Sequence, residues 1–218
     1  MKKVFKEIPL KVLFVSLLFL LAIFIFAFIA NEVLGENEDE FDNKVFQFLK
    51  SLTTPDLISI SGVLSFFGTH YFLIPAYLLL ILFLFLKKKK SDAIDIAIIA
   101  TSSSALLFLL KFLFHRQRPQ LPLLRAFKNY SFPSGHALSS FIFCSVLIYL
   151  VWQSKMPKTW KYSIAAFLLL FSLAIGISRI ILRYHYASDV LAGFCFGFAW
   201  VIFSFWLQRK IFKKRARN

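Results

Sequence analysis

The chain has 218 residues, 59% of them hydrophobic, with 29 Phe and only 17% charged residues, a composition outside the soluble globular range and suited to a polytopic membrane protein. The formal net charge is +15, but Lys and Arg fall in short blocks between apolar runs instead of along one polar face, which speaks against nucleic acid as a partner. Cys144 and Cys195 each lie inside an apolar run as small hydrophobes, and the sequence has no CxxC or Cys/His cluster for structural zinc.

The first apolar run, Val12 to Ala30, follows Lys2, Lys3, Lys6 and Lys11. It is longer than the apolar part of a signal peptide, and "FAFIANE" offers no A-x-A site, so an uncleaved first span is expected. The loop after it holds Glu32, Glu36, Glu38, Asp39, Glu40, Asp42 and Asp56, most of the chain's 11 carboxylates. Within that loop, "FDNKVFQFLKSL" sets Phe41, Val45, Phe48, Leu49 and Leu52 near one helical face. Either an amphipathic helix on the outer membrane surface or a short core helix folding back on the bundle accounts for it. Further runs of spanning length lie at about Tyr71 to Leu86, Ala93 to Phe114, Ala137 to Trp152, Tyr162 to Leu182 and Val190 to Leu207. The expected class is an all-α integral membrane protein with six transmembrane helices and both termini on one side. Ser91 and Asp92, with Asp95, read as the cap and first turn of span three. Trp152, Trp160, Trp200 and Trp206 sit near span ends, where interfacial belts form.

The N-terminal lysines, Lys87 to Lys90, the trio Lys155, Lys158 and Lys161, and the tail "RKIFKKRARN" share one side of a six-span layout. The positive-inside rule makes that side cytoplasmic. The expectation is a single polytopic domain of the plasma (inner) membrane: residues 1–30 the first span, 31–56 an outer acidic loop with the amphipathic helix, 57–208 the catalytic bundle, and 209–218 a basic cytoplasmic tail.

Two outer loops break the charge rule. Between spans three and four lie His115, Arg116, Arg118, Arg125 and Lys128, with Lys111 deeper in the helix than Arg118; between spans five and six lie Arg179 and Arg183. Each such charge costs ~2.5 to 3.5 kcal/mol at the bilayer centre and less near the interface. After Asp95 the chain contains a single acid, Asp189, so protein ion pairs are not expected to neutralise these cations. A bound external anion is the expected partner, and phosphate fits Arg forks and a Lys point charge best.

Three segments converge on this face: "KFLFHRQRP" from Lys111 to Pro119, "PSGH" from Pro133 to His136, and "SRIILRYHYASD" from Ser178 to Asp189. Their spacing, K-x6-RP, PSGH, then SR-x5-H-x3-D, resembles the three-part signature of the type 2 phosphatidic acid phosphatase family, over about residues 55 to 208. That family also includes soluble acid phosphatases and vanadium haloperoxidases. The six-span layout resembles its membrane branch, and the chain is similar to bacterial phosphatidylglycerophosphatase B and undecaprenyl-diphosphatase type enzymes. The resemblance implies an active site at the outer ends of spans three to six.

It also implies roles that the residue chemistry fits. Lys111, Arg118 and Arg179, with the Ser134 hydroxyl and the Gly135 backbone, would clamp phosphate at the N-terminus of span four. His185 would attack phosphorus and form a phosphohistidine. Asp189 would orient it through one ring nitrogen, and His136 would serve as general acid and then base. A metal site on His185 and Asp189 lacks the further carboxylates that magnesium or manganese wants, so the expected enzyme needs no metal or other cofactor. His70 and His115, outside the signature, read as structural; Ser178 reads as support for its neighbours, and Arg183 has no assigned role. Arg116, Arg125 and Lys128 read as contacts to lipid headgroups or to a second phosphate.

The expected function is hydrolysis of a lipid phosphomonoester or pyrophosphate, the lipid being undecaprenyl pyrophosphate, phosphatidylglycerophosphate or phosphatidic acid. The nearest alternative is a lipid A phosphatase. A transporter or flippase of anionic lipids or phosphate is the alternative of another class, weakened by the lack of inverted repeats or matching broken helices. The expected partners are the lipid phosphate and membrane lipids, with no protein partner evident.

Overall fold

Long apolar runs become helices because backbone in lipid must satisfy every N–H and C=O within its own segment. The computed structural model describes residues 10–35, 40–124 and 129–215; Lys2, Lys3, Lys6, Glu36, Glu38, Asp39, Arg125 and Lys128 lie outside the described residues. In chain order the helices are α1 (Leu10–Leu34), α2 (Glu40–Leu52), α3 (Pro55–Phe66), α4 (His70–Leu86), α5 (Lys90–Phe114), α6 (Gly135–Gln153), α7 (Lys158–Ile181) and α8 (Ala187–Arg215). Six stretches are long and apolar enough to cross a membrane: Val12–Leu34, Pro55–Leu86, Lys90–Phe114, Gly135–Gln153, Lys158–Ile181 and Ala187–Lys210. The protein is a multi-pass membrane protein, and its described residues form an all-helical bundle.

The run expected from Tyr71 is α4, and α3 precedes it within the same span. Thr54 starts α3 from an extended conformation, accepting the Leu57 N–H on its hydroxyl at 3.2 Å, and Pro55 occupies the first turn, where no N–H is needed. Hydroxyls inside α5 bond back along their own helix, Thr101 to the Ala97 carbonyl at 2.8 Å and Ser104 to the Ala100 carbonyl at 2.9 Å, so they need no polar neighbour. The expected cap of this helix is corrected: α5 begins at Lys90, with Lys89 in the cap position and no side-chain cap bond. A tight turn sets that start, with Lys88 left-handed at φ 57° and the Lys89 N–H closing on the Leu84 carbonyl at 2.9 Å.

α6, α7 and α8 pack on one another; α1 lies along α8, α3 along α7 and α4 along α5. The largest core joins Leu84, Ala93, Ile96, Ile99, Leu138, Ile142, Val146 and Val201. Trp200 packs against this core and so departs from the expected interfacial belt. α1 is more than an anchor, since Ile29 and Ala30 pack with Phe132 and Ala192, and the Phe26 ring lies 5.8 Å from that of Phe132.

α2 folds back on the bundle. Val45, Phe46 and Leu49 pack against Ala137, Ile180, Ala187 and Val190, while Phe41, Phe48 and Leu52 are exposed. The inward stripe is therefore Asp42, Val45, Phe46 and Leu49, the i, i+3, i+4, i+7 set, and it has a buried carboxylate at its head.

Candidate active site

The C-terminal ends of α5 and α7 meet the N-terminal ends of α6 and α8 at one end of the bundle. α5 closes at His115, left-handed at φ 48°, whose ring packs 4.5 Å from that of Tyr130. α7 closes through Arg183, left-handed at φ 54°, with the N–H groups of Tyr184 and His185 both bonding the Arg179 carbonyl, at 2.9 and 3.2 Å. This turn drives His185 inward until it is 1% exposed. α8 is tied to the start of α6 by the Ser134 N–H on the Asp189 carbonyl at 3.0 Å.

His185 stands just before α8, and Asp189 is in that helix's first turn. The Nδ1 atom lies 3.3 Å from Asp189 Oδ2 and 3.3 Å from Ser131 Oγ. The Ser131 hydroxyl donates a short bond to the same Asp189 oxygen, which also accepts the Tyr186 N–H at 3.0 Å. A carboxylate only accepts, so Nδ1 carries the proton and Nε2 the lone pair. Nε2 faces Arg118, 3.3 Å from its Nη1. Burial pushes His185 down to about 3, against the opposing pull of Asp189, so the ring is neutral near pH 7.

Arg118 is fixed by the Asn129 carbonyl at 2.8 Å, the Asn129 side-chain oxygen at 2.7 Å and the Tyr184 carbonyl at 2.6 Å. Burial lowers its guanidinium to about 10, which leaves it cationic. Lys111 Nζ donates to the carbonyls of Tyr130, at 2.5 Å, and Ser131, at 3.2 Å. Arg179 donates a short bond to the Ser65 hydroxyl, and its guanidinium lies 4.2 Å from the centre of the Tyr184 ring.

His136 is in the first turn of α6, within electrostatic range of Arg179, His185, Arg118 and Lys111. Its Nε2 is buried with no hydrogen-bond partner among the described residues. Ser134 caps α6, its hydroxyl oxygen accepting the Ala137 N–H at 3.4 Å, so its own proton can still be donated. A Cβ on Gly135 would sit 3.0 Å from Leu107 Cδ2 and 4.0 Å from Lys111 Cε, so the bare backbone lets the helix start beside the lysine. Lys111, Arg118, Ser134, Gly135, His136, Arg179, His185 and Asp189 are thus gathered at one end of the bundle. The group offers an imidazole lone pair, a second imidazole and fixed cations around one point.

One expectation is corrected. Arg116 does not project to headgroups; it is half-buried in ion pairs with Asp189 Oδ1 at 2.7 Å and Asp42 Oδ2 at 2.9 Å. Asp42, expected among the acids of the loop after span one, thus joins Asp189 as a second acid against these cations. Arg125 and Lys128 lie outside the described residues. Ser131, Asn129 and Ser65 were also missed. Ser61 and Ser65, four apart and both buried in an apolar run, were the available signal for Ser65. His70 begins α4, its ring 4.0 Å from that of Tyr71. Ser178 donates to the Ile175 carbonyl at 2.6 Å.

The PAP2 superfamily matches residues 92–213. Lipid A 1-phosphatase of Porphyromonas gingivalis is 35% identical over 85 residues, which is 38% of this chain but only 17% of that protein's length. Phosphatidylglycerophosphatase B of Bacillus subtilis is 26% identical over 145 residues, 66% of this chain and 71% of that protein. Among solved structures, the transmembrane PAP2 type phosphatidylglycerolphosphate phosphatase of Bacillus subtilis superposes with a TM-score of 0.78 at 22% identity, covering 90% of this chain and 96% of that one. Aquifex aeolicus LpxE gives 0.60 at 24% identity, covering 78% and 98%. These two likenesses are of fold.

Proposed function

This chain belongs to the PAP2 superfamily, and from that membership we propose that it is a metal-independent membrane lipid phosphatase working through a phosphohistidine intermediate. The observation that carries the reading is His185, a buried neutral imidazole with its proton side on Asp189 and its lone pair toward Arg118. Lys111, Arg118 and Arg179 hold the phosphoryl oxygens, with Ser134 and Gly135 at the helix start. His185 Nε2 attacks phosphorus in line; the N–P bond forms, the P–O bond to the lipid breaks, and His136 gives its proton to the leaving oxygen. Asp189 balances the positive ring that results. His136 then takes a proton from water, whose oxygen attacks phosphorus; the N–P bond breaks, and inorganic phosphate leaves.

The cation distribution supports cytoplasmic termini in a plasma (inner) membrane and an outward-facing site on a 57–208 catalytic bundle. A lateral opening between helices would admit the lipid chains. The substrates this reading favours are phosphatidylglycerophosphate, undecaprenyl pyrophosphate and phosphatidic acid. The match to lipid A 1-phosphatase favours a lipid A phosphate as the second reading. The test is release of inorganic phosphate by purified protein in detergent with EDTA, against a panel of these lipids. His185→Ala should abolish release while the protein stays folded; undiminished release by that variant would remove the phosphohistidine mechanism, and a need for added magnesium would remove its metal independence.

A further inference from the structure

We propose that Asp42 and Arg116 are positioning residues for the reaction, α2 delivering a carboxylate that holds Arg116 between two acids and thereby keeps Asp189 aligned and fully charged behind His185. The kinetic part of this rests on the phosphatase reading above, whereas the geometry does not. Arg116 lies two residues before Arg118, and Asp42 lies 74 residues from it in sequence. One guanidinium fork serves both acids: Nη1 bonds Asp189 Oδ1 at 2.7 Å and Ser188 Oγ at 2.8 Å, and Nη2 bonds Asp42 Oδ2 at 2.9 Å. The fork is stacked 4.1 Å from the centre of the Tyr186 ring. A planar, bidentate cation suits this bridging position in a way that an ammonium does not.

Asp42 also does the work of a helix cap that α8 cannot supply from its own sequence. The residue before α8 is Tyr186, which has no short oxygen to accept the first N–H groups. Asp189 reaches back to the Tyr186 N–H at 3.0 Å, and Asp42 accepts the Ser188 N–H at 2.8 Å and the Ser188 hydroxyl at 2.5 Å. Asp42 and Asp189 are 1% and 0% exposed, so no water substitutes for either. The apolar stripe Val45, Phe46 and Leu49 seats α2 where this carboxylate can reach.

The charge balance sets the consequence. His185 is faced by Asp189 from α8, Arg118 from the α5–α6 loop, Lys111 from α5 and His136 from α6, while Arg179 from α7 bears on His136 and Lys111. Arg116 bears on Asp189, and Asp42 offsets Arg116. Neutralising Asp42 leaves one positive charge uncompensated behind the carboxylate that must stabilise a positive, phosphorylated imidazole. Forming that intermediate becomes harder, and protonating the free imidazole becomes harder too.

The test is Asp42→Asn, which keeps shape and an acceptor for Ser188 but removes the charge. The expected result is a fall of about tenfold in kcat for phosphate release, the range for partners that orient a catalytic ligand, with KM moving less than about twofold. The acidic limb of the pH profile should move to lower pH, which loss of packing alone does not do. Asp42→Asn/Arg116→Gln removes both charges and should be less impaired than the two single losses multiplied. Arg116→Lys keeps the charge but cannot bridge, and should lower kcat with the acidic limb in place; it serves if Asp42→Asn does not fold. Imidazole nitrogen NMR of the protein in detergent reads the His185 tautomer without turnover. Wild type should show the proton on Nδ1, and Asp42→Asn a mixture. That change in a protein that hydrolyses no lipid phosphate would sink the phosphatase reading and leave the positioning role standing. Wild-type kcat, pH profile and tautomer in Asp42→Asn and Arg116→Lys would overturn the proposal.

Discussion

Gly193→Ala tests whether the contact between α8 and the start of α6 sets the catalytic geometry. A Cβ at position 193 would sit 2.8 Å from the Ser134 carbonyl oxygen, 3.2 Å from Ala137 Cβ and 3.4 Å from the Leu138 nitrogen. An ordinary carbon–oxygen approach is about 3.3 Å, so α8 must retreat from α6 by about half an ångström. The atom in the way is backbone, fixed by the Ser134 cap and by the Ser134 N–H on the Asp189 carbonyl, so the strain cannot be absorbed by a side-chain rotation. Overpacking of this kind costs about 1–3 kcal/mol of stability. The shift also separates His185 and Asp189 on one element from Gly135 and His136 on the other. A misplacement of 1 Å costs on the order of 100-fold in rate, so half of that costs about tenfold. The assays are kcat for phosphate release in detergent and the thermal unfolding midpoint of the same preparation. Rate and midpoint both indistinguishable from wild type would refute the reasoning that this contact holds the two halves of the site in register.

Gly68→Ala should act on the chemistry more than on the fold, because its Cβ would meet His136 Cδ2 and Ile175 Cγ2, both at 2.8 Å; kcat is expected to fall about tenfold with a ring displaced by under 1 Å, and an unchanged kcat would count against His136 as the proton donor. His136→Ala given a lipid phosphate analogue with an activated leaving group should still form the phosphoenzyme but hydrolyse it slowly, so acid-labile, alkali-stable labelled phosphate should accumulate on the protein; no accumulation would count against the second-step role. His185 titrates at about 3 when folded and about 6.5 when unfolded. The unfolded chain therefore binds the extra proton between those values, and its stability contribution is whole above about 6.5 and lost as pH falls toward about 3. Between pH 7 and 5 wild type should lose about 2 kcal/mol more than His185→Gln in detergent unfolding; equal losses would mean that the buried ring accepts the proton.

Much of this was readable from one sequence, and the physical reason is locality. The spans are legible because lipid demands a continuous run of apolar residues, and α1, α4 and α5 to α8 answer to runs seen directly in the chain. The three signature segments are legible because each packs its chemistry into a few consecutive residues, as with His185 and Asp189. What escaped is contact between distant segments. α3 is short and mixes Ser59, Ser61 and Ser65 into its apolar positions, so the second spanning run is legible only from Tyr71, although Ser65 ends up holding Arg179. The expected stripe on α2 holds at Val45 and Leu49 but not at Phe41, Phe48 and Leu52, and Asp42 escapes it because it looks like one more acid in an acidic loop. Only its register with Val45, Phe46 and Leu49 points inward, and only the folded bundle supplies Arg116 as a reason for a buried carboxylate. Asn129 and Ser131 sit in a loop whose shape no periodicity encodes.

The ion pairs of Arg116 bear on how phosphate would be held at this site. The cations between spans three and four and between spans five and six, expected as one pool that no acid neutralises, divide in two in the structure. Arg116 is held between Asp42 and Asp189, and its charge is spent. Lys111 and Arg118 are fixed differently: their hydrogen bonds run to the carbonyls of Asn129, Tyr130, Ser131 and Tyr184 and to the Asn129 side chain, while Arg179 bonds the Ser65 hydroxyl. A neutral acceptor orients a cation without discharging it, so none of these bonds spends the charge that an incoming anion would meet. Had Asp42 been placed against Arg118 instead, the same composition would have made a stable salt bridge and a poor anion site. An engineered carboxylate beside Arg118, Asn129→Asp, puts this to the test, since it turns one neutral acceptor into a charged one at the same 2.7 Å. Substrate KM is expected to rise about tenfold, on the scale of one charge-assisted bond lost to the phosphate, while the thermal midpoint holds or rises. An unchanged KM in that variant would mean that Arg118 does not meet the phosphate.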